Sequence, residues 1–169
     1  MLYEIAVLAL VTFIPGIELR GSIPLGIWNH PITLPLGFTV NGLGLDPLFV
    51  FTVVVIANII IGELVFFGLN YFLPYFLKIK ALERFYETSV RRVQKKVKPH
   101  IEKYGPFELA VFIGIPLPGT GVYSGALLAF ILGFKRRDFS MANILGVIMA
   151  GLIVTLITIG ALQALVFLL

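Results

Sequence analysis

The chain alternates long apolar runs with short polar breaks. Four apolar runs occupy residues 2–27, 47–77, 107–134 and 139–169. A helix that crosses a bilayer needs roughly 20 apolar residues, so each run is long enough for one crossing. The first and third runs, however, are interrupted by proline and glycine in Pro15–Gly26 (PGIELRGSIPLG) and Pro116–Gly125 (PLPGTGVYSG). The pattern therefore predicts two uninterrupted helices and two segments broken by turns, the first turn carrying Glu18 and Arg20.

Composition assigns these runs to a membrane. Hydrophobic residues make up 59% of the chain, charged residues only 13%, and the mean hydropathy is +1.01. A soluble domain carries about a quarter charged residues, so we expect an integral membrane protein. The N-terminus lacks the basic region and cleavage site of a secretory signal, and we expect it to belong to the mature protein. The chain has no cysteine, which excludes disulfides and thiolate chemistry.

Charge predicts the topology. Nine of the 13 Lys and Arg residues lie between Lys78 and Lys103, and three more are Lys135, Arg136 and Arg137. Basic loops stay on the cytoplasmic side, so both clusters are expected there. The run 107–134 must then leave and regain that side, although it is too short for two crossings. This predicts a re-entrant hairpin that turns at Pro116–Gly121. The alternative is one overlong helix with two prolines inside it and the second cluster outside.

The first half follows the same logic. The run 47–77 ends at the cytoplasmic cluster, which places residues 28–46 outside. Leu2–Ile27 then either crosses once with a break at Pro15-Gly16, or dips in from the outside and returns.

A weak internal repeat favours the second answer. Pro15-Gly16 matches Pro118-Gly119, and Ala57-Asn58-Ile59 matches Ala142-Asn143-Ile144. We predict an all-α integral membrane protein with an inverted repeat, each half being a re-entrant hairpin plus a transmembrane helix. The single membrane domain spans residues 1–169, with repeat 1 in 1–77, a basic linker in 78–106 and repeat 2 in 107–169.

The linker itself has helical periodicity. Within Ala81–Tyr104 apolar residues recur every three or four positions, and the opposite side is rich in Lys and Arg. Such an amphipathic helix lies along a membrane surface and is attracted to anionic lipid headgroups. Binding to nucleic acid is the poorer interpretation, because a basic segment beside a membrane usually meets the phosphates of lipids.

Opposed hairpin tips would form a polar chamber, as in secondary transporters with inverted repeats. Non-helical backbone at membrane depth is tolerated only inside protein or beside a wet cavity. In the second tip, Gly119, Thr120 and Gly121 would let backbone N–H groups approach an anionic group closely. Tyr123 and Ser124 add hydroxyl groups. The tips are therefore the predicted binding site.

Three ionisable residues fall deepest in the apolar runs: Glu18, Arg20 and Glu63. Such residues mark functional sites by default. Arg20 offers a planar fork for phosphate or carboxylate, and Glu63, near one helix face with Asn58, can carry a proton if desolvated. The structural alternatives are an ion pair that pins the first turn, and a hydrogen bond from Glu63 to an asparagine of another helix.

Enzyme signatures are missing. GVYSG has the wrong glycine spacing for a serine elbow, and the two histidines, His30 and His100, lie in separate polar segments. The sequence contains neither a cluster of metal ligands nor a nucleotide-binding loop. We expect no catalytic residue, no metal and no cofactor.

Two segments carry a family resemblance: GIELRGSIPLGI (residues 16–27) and PLPGTGVYSGALLAFILGF (residues 116–134). They resemble the small multidrug export protein family, which is related to the DedA-like (VTT-domain) membrane proteins. The resemblance implies two opposed re-entrant hairpins, and either proton-dependent transport or movement of polyprenyl-phosphate or phospholipid carriers. The family's acidic residue and arginine map to Glu18 and Arg20. The second hairpin lacks the arginine of DedA-like proteins, which speaks against the lipid-phosphate function.

Together these features predict a multi-pass transporter of the cell membrane. It would export a small amphiphilic or anionic compound, coupled to protonation of Glu18 or Glu63. A DedA-like lipid flippase or scramblase is the alternative, and a structural membrane subunit is a third. Because the chain is short for a complete cavity, we also expect a homodimer or larger assembly.

Overall fold

The computed structural model describes residues 2–33, 39–76, 105–117 and 119–168. Within these ranges the chain forms six α-helices and one two-stranded β-ribbon. They are α1 (Leu2–Thr12), α2 (Glu18–Ile27), β1 (Pro31–Thr33), β2 (Thr39–Asn41), α3 (Pro47–Phe76), α4 (Pro106–Gly114), α5 (Val122–Ile131) and α6 (Arg136–Leu168). The described chain is therefore helical, as predicted, apart from the ribbon. Except for its last two residues, the predicted basic linker lies outside the described residues.

Helix lengths separate two classes. Among the described residues, two helices are long and apolar enough to cross a membrane, Pro47–Phe72 and Arg136–Ala161, with 26 residues each. Each is about 39 Å long, more than the thickness of about 30 Å of a bilayer's hydrocarbon core. The other four helices have 9 to 11 residues. At about 14–17 Å each is about half as long as that core is thick.

Contacts divide the chain into two compact units. The first comprises Met1–Asn58 and Ile148–Leu169, and the second comprises Ile59–Val147. Each unit contains one pair of short helices. Each long helix contributes one part to each unit, so α3 and α6 are shared between them.

In the first unit, α1 and α2 pack antiparallel. Near the turn, Thr12 Oγ1 lies 2.7 Å from Ser22 Oγ, and the Ser22 hydroxyl donates to the Glu18 carbonyl at 2.8 Å. Farther from the turn, Gly26 lies against Leu8. The partners advance in opposite directions along the two helices, so the first apolar run is a hairpin and not one kinked helix.

The turn of this hairpin is shorter than the sequence predicts. It ends at Ile17, and α2 begins at Glu18, so Arg20 and Pro24 are helical. The prediction that the whole stretch Pro15–Gly26 is a turn is therefore wrong. Pro24 removes one backbone hydrogen bond, but seven of the ten residues of α2 are buried. Tertiary packing outweighs the local cost of proline and glycine here.

The segment between α2 and α3 is tied to the end of α2. β1 and β2 pair antiparallel, with Ile32 opposite Val40. After the ribbon, the N–H groups of Leu43, Gly44 and Leu45 donate to the carbonyls of Leu25, Trp28 and Gly26 at 2.8–2.9 Å. These bonds satisfy carbonyls that a helix end leaves without partners. Gly42 is required for the approach, because a Cβ there would lie 2.0 Å from the Trp28 carbonyl oxygen.

The same unit contains a close contact between α3 and α6. A Cβ at Gly151 of α6 would lie 2.7 Å from Val55 Cγ2 and 3.0 Å from Phe51 Cε2. Farther along α6, the Thr158 carbonyl accepts a hydrogen bond of 3.4 Å from the Trp28 indole N–H. The residue that follows α2 is therefore linked to α6 by a polar contact.

In the second unit, α4 and α5 follow one another in the chain and meet at Ile113. A Cβ at Gly125 of α5 would lie 2.4 Å from Ile113 Cγ1, and one at Gly146 of α6 would lie 2.7 Å from Ile113 Cβ. Ile113 is fully buried between these two glycines. The absence of side chains at both positions lets α5 and α6 approach α4.

Replacing Gly26 by alanine tests the packing of the first hairpin. The new Cβ would lie 2.6 and 2.8 Å from the two methyl groups of Val50, which branches next to its backbone and cannot swing away. We expect Gly26→Ala to lower the free energy of unfolding in detergent micelles by about 1–3 kcal/mol. Gly160→Ala is the matched control, because nothing lies within 4 Å of that helical position. Equal stability of the two variants would contradict the packing.

Candidate functional site

Glu63 places a carboxyl group within the apolar part of α3. It precedes Phe72, where that part ends, by about 14 Å along the helix axis. Its side chain is half-buried. A charged group at such a depth is costly unless polar groups hold it. The atoms around Glu63 therefore decide what it can do.

Two neutral side chains of α6 hold the carboxyl group. The Ser140 hydroxyl donates to Glu63 Oε2 at 3.0 Å. Asn143 Nδ2 lies 3.4 Å from Glu63 Oε1 and donates to the Ile59 carbonyl at 3.0 Å. This arrangement is the hydrogen bond between helices that was the structural alternative for Glu63. Both donors are neutral, so these two hydrogen bonds add no charge to the site.

Gly62 makes room for the asparagine. A Cβ at this position would lie 2.5 Å from Asn143 Oδ1 and 2.6 Å from Asn143 Nδ2, so the amide rests directly on the backbone of α3. Asn143 is fully buried. Among the described residues, its Oδ1 has no hydrogen-bond partner. The glycine beside the acid is thus a requirement of the site and not a flexible link.

The register of the two helices explains the arrangement. Along α3, residues 59, 63, 66 and 70 recur with helical spacing, and on α6 residues 136, 140 and 143 do the same. Phe66 stacks on Phe139 with ring centroids 4.3 Å apart and planes at 13°. Moving along α3 from Ile59 to Phe66, the partners on α6 move from Asn143 to Phe139. The helices are therefore antiparallel in this unit, and each polar contact has a defined partner.

A pocket of about 150 Å³ opens beside Glu63. Its walls combine one acidic, one cationic and one amide side chain with three phenylalanines. They are Glu63, Phe66, Phe67, Asn70, Phe134 and Arg136. The amide of Asn70 donates to the Phe66 carbonyl at 2.8 Å, so it is engaged within its own helix. Whatever enters the pocket therefore meets the Glu63 carboxyl group directly.

The first hairpin places Glu18 and Arg20 in the other compact unit. Glu18 is only 4% exposed and begins α2. Its φ is +47°, and no other non-glycine residue in the described ranges has a positive φ. This conformation is sparsely populated for residues with a side chain and is a pointer to function. Arg20, two residues later, is half-buried.

The second tip uses its polar side chains locally. Gly119 and Gly121 have φ of +87° and +114°, values that favour glycine. The Thr120 hydroxyl lies 2.6 Å from the Ile115 carbonyl and accepts from the Leu117 N–H at 3.2 Å. Thr120 therefore holds the turn together.

Tyr123 and Ser124 belong to the first turn of α5. Both are half-buried, and the Ser124 hydroxyl donates to the Gly121 carbonyl at 3.3 Å. The Ser124 hydroxyl is therefore engaged by the backbone at the start of α5, as the Thr120 hydroxyl is engaged by the backbone before it.

Asn58 is fully buried in α3. Among the described residues, neither its Oδ1 nor its Nδ2 has a hydrogen-bond partner. A buried amide without partners is costly, which makes this position a candidate for contact with water or substrate. Asn58 and Glu63 therefore differ in their hydrogen bonding. Among the described residues, the Asn58 amide has no partner, whereas the Glu63 carboxyl group is bonded to α6.

Sequence reasoning missed the α6 side of the site. Asn143 entered only as the repeat partner of Asn58, and Ser140 and Arg136 were not considered as site residues. Their spacing of four and three residues places all three on one helix face, which was the available signal. Nothing in the sequence says that this face meets Glu63, about 80 positions away.

Among the described residues, no three His, Cys, Asp or Glu side chains are close enough to hold a metal ion. The polar groups described around Glu63 are its carboxyl group, two neutral hydrogen-bond donors and the side chains that line the pocket.

Comparison with known proteins gives one match. A family model with the description "Putative small multi-drug export protein" matches residues 18–153. No curated protein and no solved structure shows a significant match. The matched range begins directly after the turn of the first hairpin and contains Glu18, Glu63, the second hairpin tip and the face of α6 that holds the carboxyl group.

A double-mutant cycle tests the contact between Glu63 and Asn143. Glu63→Gln and Asn143→Leu are expected to be non-additive in unfolding free energy by about 0.5–3 kcal/mol, because each changes the group that the other side chain contacts. Unfolding of the single and double variants in detergent gives this value. Asn70→Leu serves as the control, since the Asn70 amide bonds to Phe66 and should add to Glu63→Gln without coupling. Additivity of Asn143→Leu would contradict the contact.

Proposed function

The chain belongs to the small multi-drug export protein family, and on that premise we propose that Glu63 is the proton-carrying residue of a small membrane exporter. The family implies a transporter rather than an enzyme, located in a membrane. The observation that carries the proposal is the Glu63 carboxyl group, held by two neutral donors beside a pocket. In the exporter, a small amphiphilic compound occupies this pocket.

The hydrogen-bond partners of Glu63 support a proton-carrying role. A carboxylate paired with Arg or Lys stays charged, because the cation favours the ionised form. Ser140 and Asn143 donate hydrogen bonds without supplying charge. Loss or gain of a proton then changes the net charge of the site by one unit. That change favours binding of a substrate in one state and its release in the other.

The proposal also includes the topology. Two re-entrant hairpins enter the membrane from opposite sides, and the basic loops 78–103 and 135–137 face the cytoplasm. Helix length supports this, since the short helices span only about half of the hydrocarbon core. Both tips also expose large apolar side chains, as expected for tips within a bilayer. They are Phe13, Ile14, Ile115 and Leu117.

The tips supply further polar groups to the pathway. Glu18 is the second candidate for a proton, since it is buried and has the unusual backbone conformation described above. Arg20 is assigned to an acidic group of the substrate. In the second tip, the backbone of Gly119 and Gly121 approaches the substrate, and Asn58 offers its unbonded amide from α3.

Replacement of Glu63 by glutamine tests the proton role. Proteoliposomes containing a pH-sensitive dye would receive a pH gradient and a panel of cationic, anionic and zwitterionic aromatic compounds in turn. The wild-type protein is expected to dissipate the gradient in the presence of a transported compound. Glu63→Gln should lower this coupled flux at least about tenfold, because glutamine cannot carry the proton.

Glu108→Gln is the control for that experiment, as Glu108 lies outside the pocket and should leave the flux unchanged. An unchanged flux in Glu63→Gln would refute the assignment. Movement of a fluorescent phospholipid without any gradient, with no compound transported, would instead favour the flippase.

Cysteine labelling tests the topology, because the natural chain has no cysteine. Gly16→Cys and Gly119→Cys place thiols at the two tips, where a new Cβ has nothing within 4 Å. A membrane-impermeant maleimide should label the first only from the outside and the second only from the cytoplasmic side. His30→Cys and Arg137→Cys mark the two surfaces for comparison. Labelling of both tips from the same side would exclude opposed hairpins.

A further inference from the structure

We infer that the pocket beside Glu63 binds a small zwitterion whose cationic and acidic groups flank an apolar spacer. This inference deepens the proposed function by naming the substrate class, and it rests on the same pocket. The observation that carries it is the composition of the wall, which has one carboxyl group, one guanidinium group and three phenyl rings.

The two charged residues of the wall are related through α6. Glu63 Oε2 is bonded to Ser140, and Arg136 precedes Ser140 by one helical turn, which is about 6 Å along the axis. The backbone at Arg136 therefore lies one helical turn from Ser140, the residue that holds the carboxyl group. A ligand with a single charge would satisfy one of these groups and leave the other without a partner of opposite charge.

The end of the pocket at Arg136 favours an anion for two further reasons. Arg136 is the first residue of α6, so the N–H groups of the first turn add partial positive charge there. Residues 135–138 also carry three cations against one anion, Asp138. Among the described residues, the side chains that donate to the Glu63 carboxyl group are neutral, so the ionised carboxyl group favours an ammonium group.

The aromatic lining and the volume of the pocket indicate the kind and size of the apolar spacer. Phe66, Phe67 and Phe134 supply the aromatic surface of the same pocket. A volume of about 150 Å³ is that of an apolar cavity that holds one benzene molecule. The expected ligand is thus an ammonium group and an acid group joined through about one ring.

A matched set of probes tests this charge pattern. The probes are 4-(aminomethyl)benzoate, which is zwitterionic, 4-methylbenzylamine, which is cationic, and 4-methylbenzoate, which is anionic. They share one ring and nearly the same shape. Titration calorimetry on the whole protein in micelles, against micelles alone, should show the zwitterion binding roughly tenfold or more tightly than either singly charged probe.

Two variants test which residue binds which charged group of the zwitterion. Arg136→Gln should lower the affinity for the zwitterion to that for the cation, and Glu63→Gln should lower it to that for the anion. Arg137→Gln is the matched control, because this neighbouring cation does not line the pocket and should leave the preference intact.

A zwitterion that binds no tighter than the better of the two singly charged probes would overturn the inference, and this comparison needs only the wild-type protein. An equal loss in Arg137→Gln and Arg136→Gln would also overturn it. If a singly charged compound is transported with coupling through Glu63 and the zwitterion shows no preference, the inference fails and the proposed function stands. If the zwitterion binds as expected but nothing dissipates a pH gradient, the proposed function fails and the inference stands.

Discussion

The structure depends on close contact between helices at glycine. In a bilayer, helices gain little from moving apolar side chains out of lipid, so association relies on tight packing by small residues. Each unit follows this rule. In the first unit, the side chain of Val50 packs against Gly26, and that of Val55 packs against Gly151. In the second unit, Ile113 packs against both Gly125 and Gly146. The amide of Asn143 packs against Gly62 in the same way, although this side chain is polar. The position that stabilises this helix pair is thus also the one that places a hydrogen-bond donor beside Glu63.

Much of the architecture follows from the sequence, because proline, glycine and apolar length have local consequences. The two long helices and both interruptions of the apolar runs lie where the pattern predicts them. The end of the first turn does not, since α2 continues through Arg20 and Pro24 and is stabilised by burial that no local pattern reveals. Glu63 was identified as a site residue because a charge in an apolar run is conspicuous. Its partners were not, since Ser140 and Asn143 lie 77 and 80 positions away, and such contacts are set by the fold.

The two matching segments of the chain differ at the residues that form the site around Glu63. Ala57-Asn58-Ile59 and Ala142-Asn143-Ile144 match, but five residues after the first asparagine stands Glu63, and five after the second stands Ile148. Likewise Ser140, three residues before Asn143, corresponds to Val55. One half therefore has the acid and the other has the two donors that hold it. This difference accounts for the contrast between Asn143, whose Nδ2 is bonded, and Asn58, which has no described partner.

The contact between Trp28 and Thr158 has a practical consequence. Trp28 is the only tryptophan in the chain, and its indole N–H faces a backbone carbonyl of α6 within the first unit. Because the polarity around an indole ring controls its fluorescence, the protein carries an intrinsic optical reporter confined to one unit. Glu63 and its pocket belong to the other unit. Any change in this emission on binding beside Glu63 would report communication between the two parts of the chain, without a label.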